Sequence, residues 1–288
     1  MIQGTNAGGI YRYLGVPYAE AKERFVPAED VTPWEGIRMA DTYGPISPQG
    51  AISGLGSAGG QEGTDNNSQN LNIWTPGVND GKKRPVMVWL HGGGYAMDWE
   101  PVVDGDFLPT NPVTEESFAE AGLDIPLLIG SNLNEWSGFF ETNPIEPTKE
   151  LTAALREAYP NKEELTAEQV DTTTIRLPLL KIMTHKADQE GTPVYAYLFT
   201  YGNSYHGAEI PYVFNHTDGN EEEQSLAEQV SQSWINFART GTPGAEGMPE
   251  WEPYTREGGA TMLLDTEPEL VYHHDQELLS ILVPDYEY

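Results

Sequence analysis

The chain has 288 residues with 15 Lys and Arg against 45 Asp and Glu, a formal net charge of −30. That excess of negative charge excludes a protein that tracks nucleic-acid phosphates, while 38% hydrophobic and 10% aromatic residues suffice for a core in one large domain or two small ones. The absence of cysteine excludes disulfides, Cys-ligated zinc or iron–sulfur centres and a thiol nucleophile, and fits a reducing, cytoplasmic location.

At the N-terminus, MIQGTNAGGIYRY lacks a basic stretch followed by an apolar one, and no 18-residue apolar run occurs later, so neither a signal peptide nor a membrane partner is expected. GIYRYLGVPYA alternates apolar and polar residues as a short edge strand does. Residues 50–67 carry many glycines and almost no large apolar side chain, which predicts a solvated loop. LNIWTP reads as a short strand. After the polar turn GVNDGKKR, the run VMVWL at 86–90 is continuously apolar, the pattern of a strand buried on both faces of a parallel sheet. A second such run, IPLLIG at 125–130, follows EESFAEAG, a helix that Thr114 is placed to cap.

Residues 148–159 and 173–190 are patterned as amphipathic helices, and PVYAYLFTY from Pro193 is a β-branched and aromatic strand. Over 221–240, Leu226, Val230, Trp234 and Phe237 form one apolar stripe, with Gly241 at the C-terminal cap position. TMLL at 261–264 predicts a further strand and 274–282 a closing helix. No repeat of 20–50 residues is present. Alternating helices and strands predict an α/β fold with a mostly parallel sheet flanked by helices, and we expect 1–288 to be a single domain, with 1–110 and 111–288 as its two parts.

One strand expectation ends in His91-Gly92-Gly93-Gly94. Three glycines let a backbone turn sharply and present its N–H groups, as a donor pair for a developing oxyanion requires, although a glycine turn alone is no more than a strand end. Strand followed by HGGG is the oxyanion arrangement of lipases and esterases on the α/β-hydrolase scaffold. The phrases YLGVPYAEAKERF, TPWEGIRMADTYGPISPQ, LNIWTPG, VMVWLHGGGY, PVVDGDFLP, IPLLIGSNLNE, YHGAEIPYVF, SWINFARTGTP and WEPYTREGGATMLLD, in this order, resemble the type-B carboxylesterases, the family of cholinesterases and bacterial para-nitrobenzyl esterases.

The resemblance implies a Ser–Glu–His triad acting on small uncharged or hydrophobic carboxylic esters through an acyl-serine, with no metal or organic cofactor. Its acid follows a PLLIG strand in a D-E-G phrase, which falls here on Asn134-Glu135-Trp136 and makes Glu135 the candidate acid. Its base lies in an H-x-x-E phrase and falls on His206, which would take a proton from the nucleophile while Glu135 holds its tautomer. The other histidines have plainer readings. His185 sits on a helix, His216 in a polar turn, and His273-His274-Asp275 at a helix start reads as capping and solvent rather than metal.

The nucleophile is missing from this pattern. No G-x-S-x-G occurs in the 288 residues. HGGGYAMDWE runs directly into PVVDGDFLP, phrases that the family separates by a long stretch carrying the next core strand and the nucleophile elbow. The resemblance therefore implies a fold truncated internally. Gly56-Ser57-Ala58-Gly59-Gly60 matches half of an elbow, but Leu55 stands where its first glycine belongs and no strand leads in, so Ser57 is only a weak nucleophile candidate. Ser204 lies two residues from His206 without elbow context. The expectation is an inactive carboxylesterase, the alternatives being a cholinesterase-like binding module or a weak hydrolase using Ser57. For a folded chain, the strand at 86–90 is expected to pair directly with 125–130. Oligomeric state is not legible.

Overall fold

The computed structural model describes residues 1–23, 26–47, 65, 67–90, 110–111, 120–135, 171–189 and 191–286. The chain divides into two units, Met1–Pro101 and Val102–Tyr288. In the first, β1 (Ile2–Gln3) and β4 (Arg38–Met39) pair in parallel, while β2 (Thr5–Ala7), β3 (Ile10–Pro17) and β5 (Asn70–Thr75) form an antiparallel sheet in the order β2-β3-β5. GIYRYLGVPYA, from its alternation, and LNIWTP, read as a short strand, are the strands β3 and β5.

The expectation for 86–90 is overturned. These residues form no strand, and Val86, Met87, Val88, Trp89 and Leu90 are between 56% and 83% exposed. Among the described residues, Leu127–Asn132 has its ladder partner in the strand Val194–Phe199. The physical reason is that an apolar run states that a segment tolerates burial, whereas strand hydrogen bonds have to come from a second segment that periodicity does not identify.

The second unit contains α1 (Glu120–Leu123), β6 (Leu127–Asn132), a π-helical turn Thr172–Arg176 running into α2 (Leu177–Asp188), β7 (Val194–Phe199), α3 (Ile210–Val213), α4 (Glu221–Thr240), β8 (Ala260–Leu264), β9 (Glu269–Tyr272) and α5 (Gln276–Leu282). Its sheet has the order β6-β7-β8-β9, the first three strands parallel and β9 antiparallel to β8. The strand β9 went unread in the sequence because ELVY is four residues long and only half buried. The predicted cap at Thr114 and the helix over 148–159 lie outside the described residues.

The period-two alternation of β7 serves two helical layers. Tyr195 and Phe199 face a cluster with Leu226, Ala227 and Val230 of α4, Tyr212, Trp251, Met262 and Leu264. Val194 and Ala196 face the other cluster with Met183 of α2 and Tyr254. Each fully buried large side chain contributes roughly 1.5–3 kcal/mol against leaving it in water. The buried Trp251 Nε1–H donates to the Ala196 carbonyl at 3.1 Å, so the indole packs without an orphaned donor.

The stripe of α4 is core, as its spacing predicts: Leu226 and Val230 are buried, with Trp234 and Phe237 packed beside them. Asn220 caps its N-terminus by accepting from Glu223 N at 3.0 Å, and Gly241 ends it in the left-handed region at φ 77°.

Gly130 in β6 has a different reason to be glycine. A Cβ there would lie 2.2 Å from the Tyr197 carbonyl oxygen and 2.5 Å from its ring, and that ring packs edge-on against Trp234 at 5.1 Å. Gly130→Ala is therefore expected to lower stability by roughly 1–3 kcal/mol through overpacking, read as an earlier urea midpoint with an unchanged m-value.

Candidate active site

Where β6 and β7 end, their parallel pairing does not stop. Asn132 is the register partner of Phe199, Leu133 N donates to the Phe199 carbonyl at 3.0 Å, and a parallel bridge pairs Asn134 with Tyr205. Asn134 N donates to the Ser204 carbonyl at 3.0 Å and its side-chain amide to the Asn203 carbonyl at 2.9 Å. The loops after the two strands are thus zipped together at the carboxyl edge of the parallel strands, the edge at which open α/β sheets bind ligands. The zipper carries Glu135 one residue past Asn134 and His206 one residue past Tyr205.

Their side chains meet. His206 Nδ1 lies 2.5 Å from Glu135 Oε2, and Glu135 Oε1 accepts from the Asn132 backbone N–H at 2.8 Å. Both oxygens of the carboxylate are held, one by the sheet and one by the ring. With Nδ1 donating to the carboxylate, Nε2 is the nitrogen that carries the lone pair in the neutral ring. The Glu135 side chain is 13% exposed and that of His206 65%, so the acid is enclosed and the imidazole reaches outward.

Beneath the pair lies Asn132, fully buried, whose side-chain amide donates to the Tyr205 carbonyl at 2.8 Å and to Glu209 Oε2 at 2.5 Å. Asn132 thus touches Glu135 through its backbone and the His206 loop through its side chain. The hydrogen bond that His206 donates to Glu135 raises the His206 pKa above its ordinary 6.5; burial opposes this, and the charges of Glu135 and Glu209 add to it.

The fold brings Glu135 and His206 together, although they are 71 residues apart in sequence. Ser57, His91, Gly92, Gly93, Gly94 and Trp136 lie outside the described residues. Ser204 is buried, sits at φ 44° and donates its hydroxyl to the Tyr201 carbonyl at 3.0 Å, so it serves the turn below the histidine. The plain reading of Asp275 as a solvated cap is corrected: it makes no side-chain cap hydrogen bond and forms a buried ion pair with Arg176 at 2.8 Å. Asn132 and Arg176 escaped the sequence reading. An asparagine ending an apolar strand, and an arginine just before the apolar start of a helix, are the signals, since buried polar residues require partners.

A family model described as the carboxylesterase family matches residues 1–100 and 146–278. The chain belongs to the carboxylesterase family. His206 lies inside the second matched stretch and Glu135 outside both, so the fold rather than the matched sequence attaches the carboxylate to the histidine. The chain is 28% identical over 203 residues to the para-nitrobenzyl esterase of Bacillus subtilis (strain 168), covering 60% of this chain and 40% of the relative. It is 42% identical over 97 residues to the phenmedipham hydrolase of Pseudarthrobacter oxydans, covering 32% and 20%. It is 29% identical over 206 residues to the liver carboxylesterase of Sus scrofa, covering 55% and 36%. The match thus spans between 20% and 40% of the length of these curated relatives.

Among solved structures, a PNB esterase aligns with a TM-score of 0.74 at 16% identity over 98% of this chain and 97% of that one. A Geobacillus stearothermophilus carboxylesterase aligns with a TM-score of 0.79 at 18% identity over 98% of each chain. At these identities the likeness establishes the α/β-hydrolase fold. Among the described residues, no helix is long and apolar enough to cross a membrane.

Because the His206 pKa is raised in the folded chain, its pairing with Glu135 stabilises the fold fully below the ordinary value of 6.5 and loses that contribution as pH rises through the raised one. The stability difference between the native chain and Glu135→Gln is therefore expected to be largest in mildly acidic buffer and to shrink above neutrality, measured by urea unfolding across a pH series. A difference that grows with pH would contradict the pairing.

Proposed function

We propose that the chain is an α/β-hydrolase of the carboxylesterase family in which the acid–base pair Glu135 and His206 is kept while the serine nucleophile is lost. The observation that carries this reading is the 2.5 Å contact between His206 Nδ1 and Glu135 Oε2, formed at the carboxyl edge of the parallel strands. A carboxylate that holds an imidazole through Nδ1 leaves Nε2 to accept a proton from a nucleophile and stabilises the imidazolium that results. Gly92, Gly93 and Gly94 would supply the backbone donors for an oxyanion. Both units belong to one hydrolase domain in this reading, truncated internally between the oxyanion glycines and Glu135, and it needs no cofactor.

The substrate class that the site suits is small carboxylic esters, as the names of the para-nitrobenzyl esterase and carboxylesterase relatives suggest. A net charge of −30 biases it toward uncharged ones, and the absence of cysteine suits the cytoplasm. Without G-x-S-x-G, His206 has no elbow serine to activate, so hydrolysis through an acyl-enzyme is not expected. Oxyanion donors and binding alone leave about 10³–10⁴-fold over water in a triad system that has lost a member. A module kept only for binding would have no use for a partly buried glutamate aimed at an exposed histidine.

The test is intact-mass spectrometry after exposure of the folded chain to a reactive fluorophosphonate, with His206→Ala alongside. No stoichiometric adduct is expected. An adduct that forms on the native chain and disappears in the variant would overturn the reading and point to Ser57 as a nucleophile that His206 activates.

A further inference from the structure

A buried arginine reaches the turn that carries Glu135. The Arg176 side chain is 4% exposed and its ion-pair partner Asp275 7%. Its Nε donates to Asp275 Oδ2 at 2.8 Å, its Nη2 to Thr172 Oγ1 at 2.6 Å, and its Nη1 to the Leu133 carbonyl at 3.1 Å. Three stretches of chain distant in sequence meet on one guanidinium: the π-helical turn, the entry to α5, and the loop leaving β6.

A buried ion pair is a weak source of stability, because desolvation of both charges offsets their attraction. What this pair does instead is aim a rigid planar fork, which an ammonium on a flexible stem could not reproduce at all three acceptors. Leu133 stands two residues before Glu135. On the far side, the turn is held by Asn134 N on the Ser204 carbonyl. Arg176 and Ser204 therefore grip the turn from opposite chain segments, and the carboxylate leaves it at the point where His206 Nδ1 waits.

We infer that Arg176 is a positioning residue for Glu135, holding the 133–135 turn through the Leu133 carbonyl and itself anchored by Asp275 and Thr172. The inference rests on the reading of Glu135 and His206 as an acid–base pair. A displacement of about 1 Å in such a group is enough to cost on the order of 10²-fold in a reaction that depends on it.

The experiment is the NMR titration of the His206 ring in the full chain and in Glu135→Gln, Arg176→Lys and Arg176→Gln. Glu135 and Glu209 are ionisable groups that raise the His206 pKa, and the arginine variants alter neither. Loss of a positive charge alone would raise the histidine pKa, whereas release of the carboxylate lowers it, so the two effects differ in sign. The expected result is that Glu135→Gln lowers the His206 pKa and both arginine variants lower it by most of that amount, while far-UV circular dichroism stays native. Arginine variants that titrate like the native chain, while Glu135→Gln shifts, would overturn the role of Arg176 alone. No shift in Glu135→Gln would overturn the pair and this inference with it.

Should the arginine variants not fold, the native chain provides the decision. A scalar coupling across the hydrogen bond from Arg176 Nη1 to the Leu133 carbonyl carbon is expected, and its absence would overturn the inference.

Discussion

The parallel register between β6 and β7, continued past the last rungs of the ladder to Asn134 and Tyr205, is the constraint on which the rest of the site depends. Two strands that leave a sheet at the same edge deliver the residues that follow them to one place. Here the delivery is made accurate by backbone bonds beyond the sheet, Leu133 to Phe199 and Asn134 to Ser204. A shift of one residue would exchange the faces of β6 and carry Glu135 away from the imidazole.

That register is in turn set by packing. β7 has no polar face: its odd residues Tyr195 and Phe199 belong to the cluster under α4 and its even residues Val194 and Ala196 to the one under α2. Gly130 lets the ring of Tyr197 cross β6 closely, which admits one register and penalises its neighbours. The exposed run at 86–90 is the counter-example within the same chain. Its residues are at least as apolar as those of β7, yet they form no strand, because burial of a β-segment is a property of the pair rather than of the segment.

In the reading proposed above, the acid–base half of a hydrolytic site is held independently of its nucleophile. Glu135 and His206 are held by the sheet edge and by Asn132, none of which requires a serine to be present. The hydrogen bond to Glu135 that raises the His206 pKa is itself formed at that sheet edge.

From its sequence alone this protein could be read as an α/β chain of the carboxylesterase kind. The alternation of β3, the strand signals of β5, β7 and β8, the stripe of α4 and its Gly241 cap are local patterns, and the phrases around Glu135 and His206 marked both as candidates. Tertiary structure alone decided which apolar run became a strand, since IPLLIG pairs with β7 whereas VMVWL at 86–90 is exposed and forms no strand. It also decided what the buried polar residues do. Asp275 beside two histidines reads as a solvated cap until Arg176, 99 residues earlier in the chain, is folded against it, and Asn132 reads as a strand end until Tyr205 and Glu209 arrive. Periodicity and capping are written in near neighbours along the chain, whereas hydrogen-bond partners for a carboxylate, an amide or an unpaired strand come from segments whose approach only the folded chain determines.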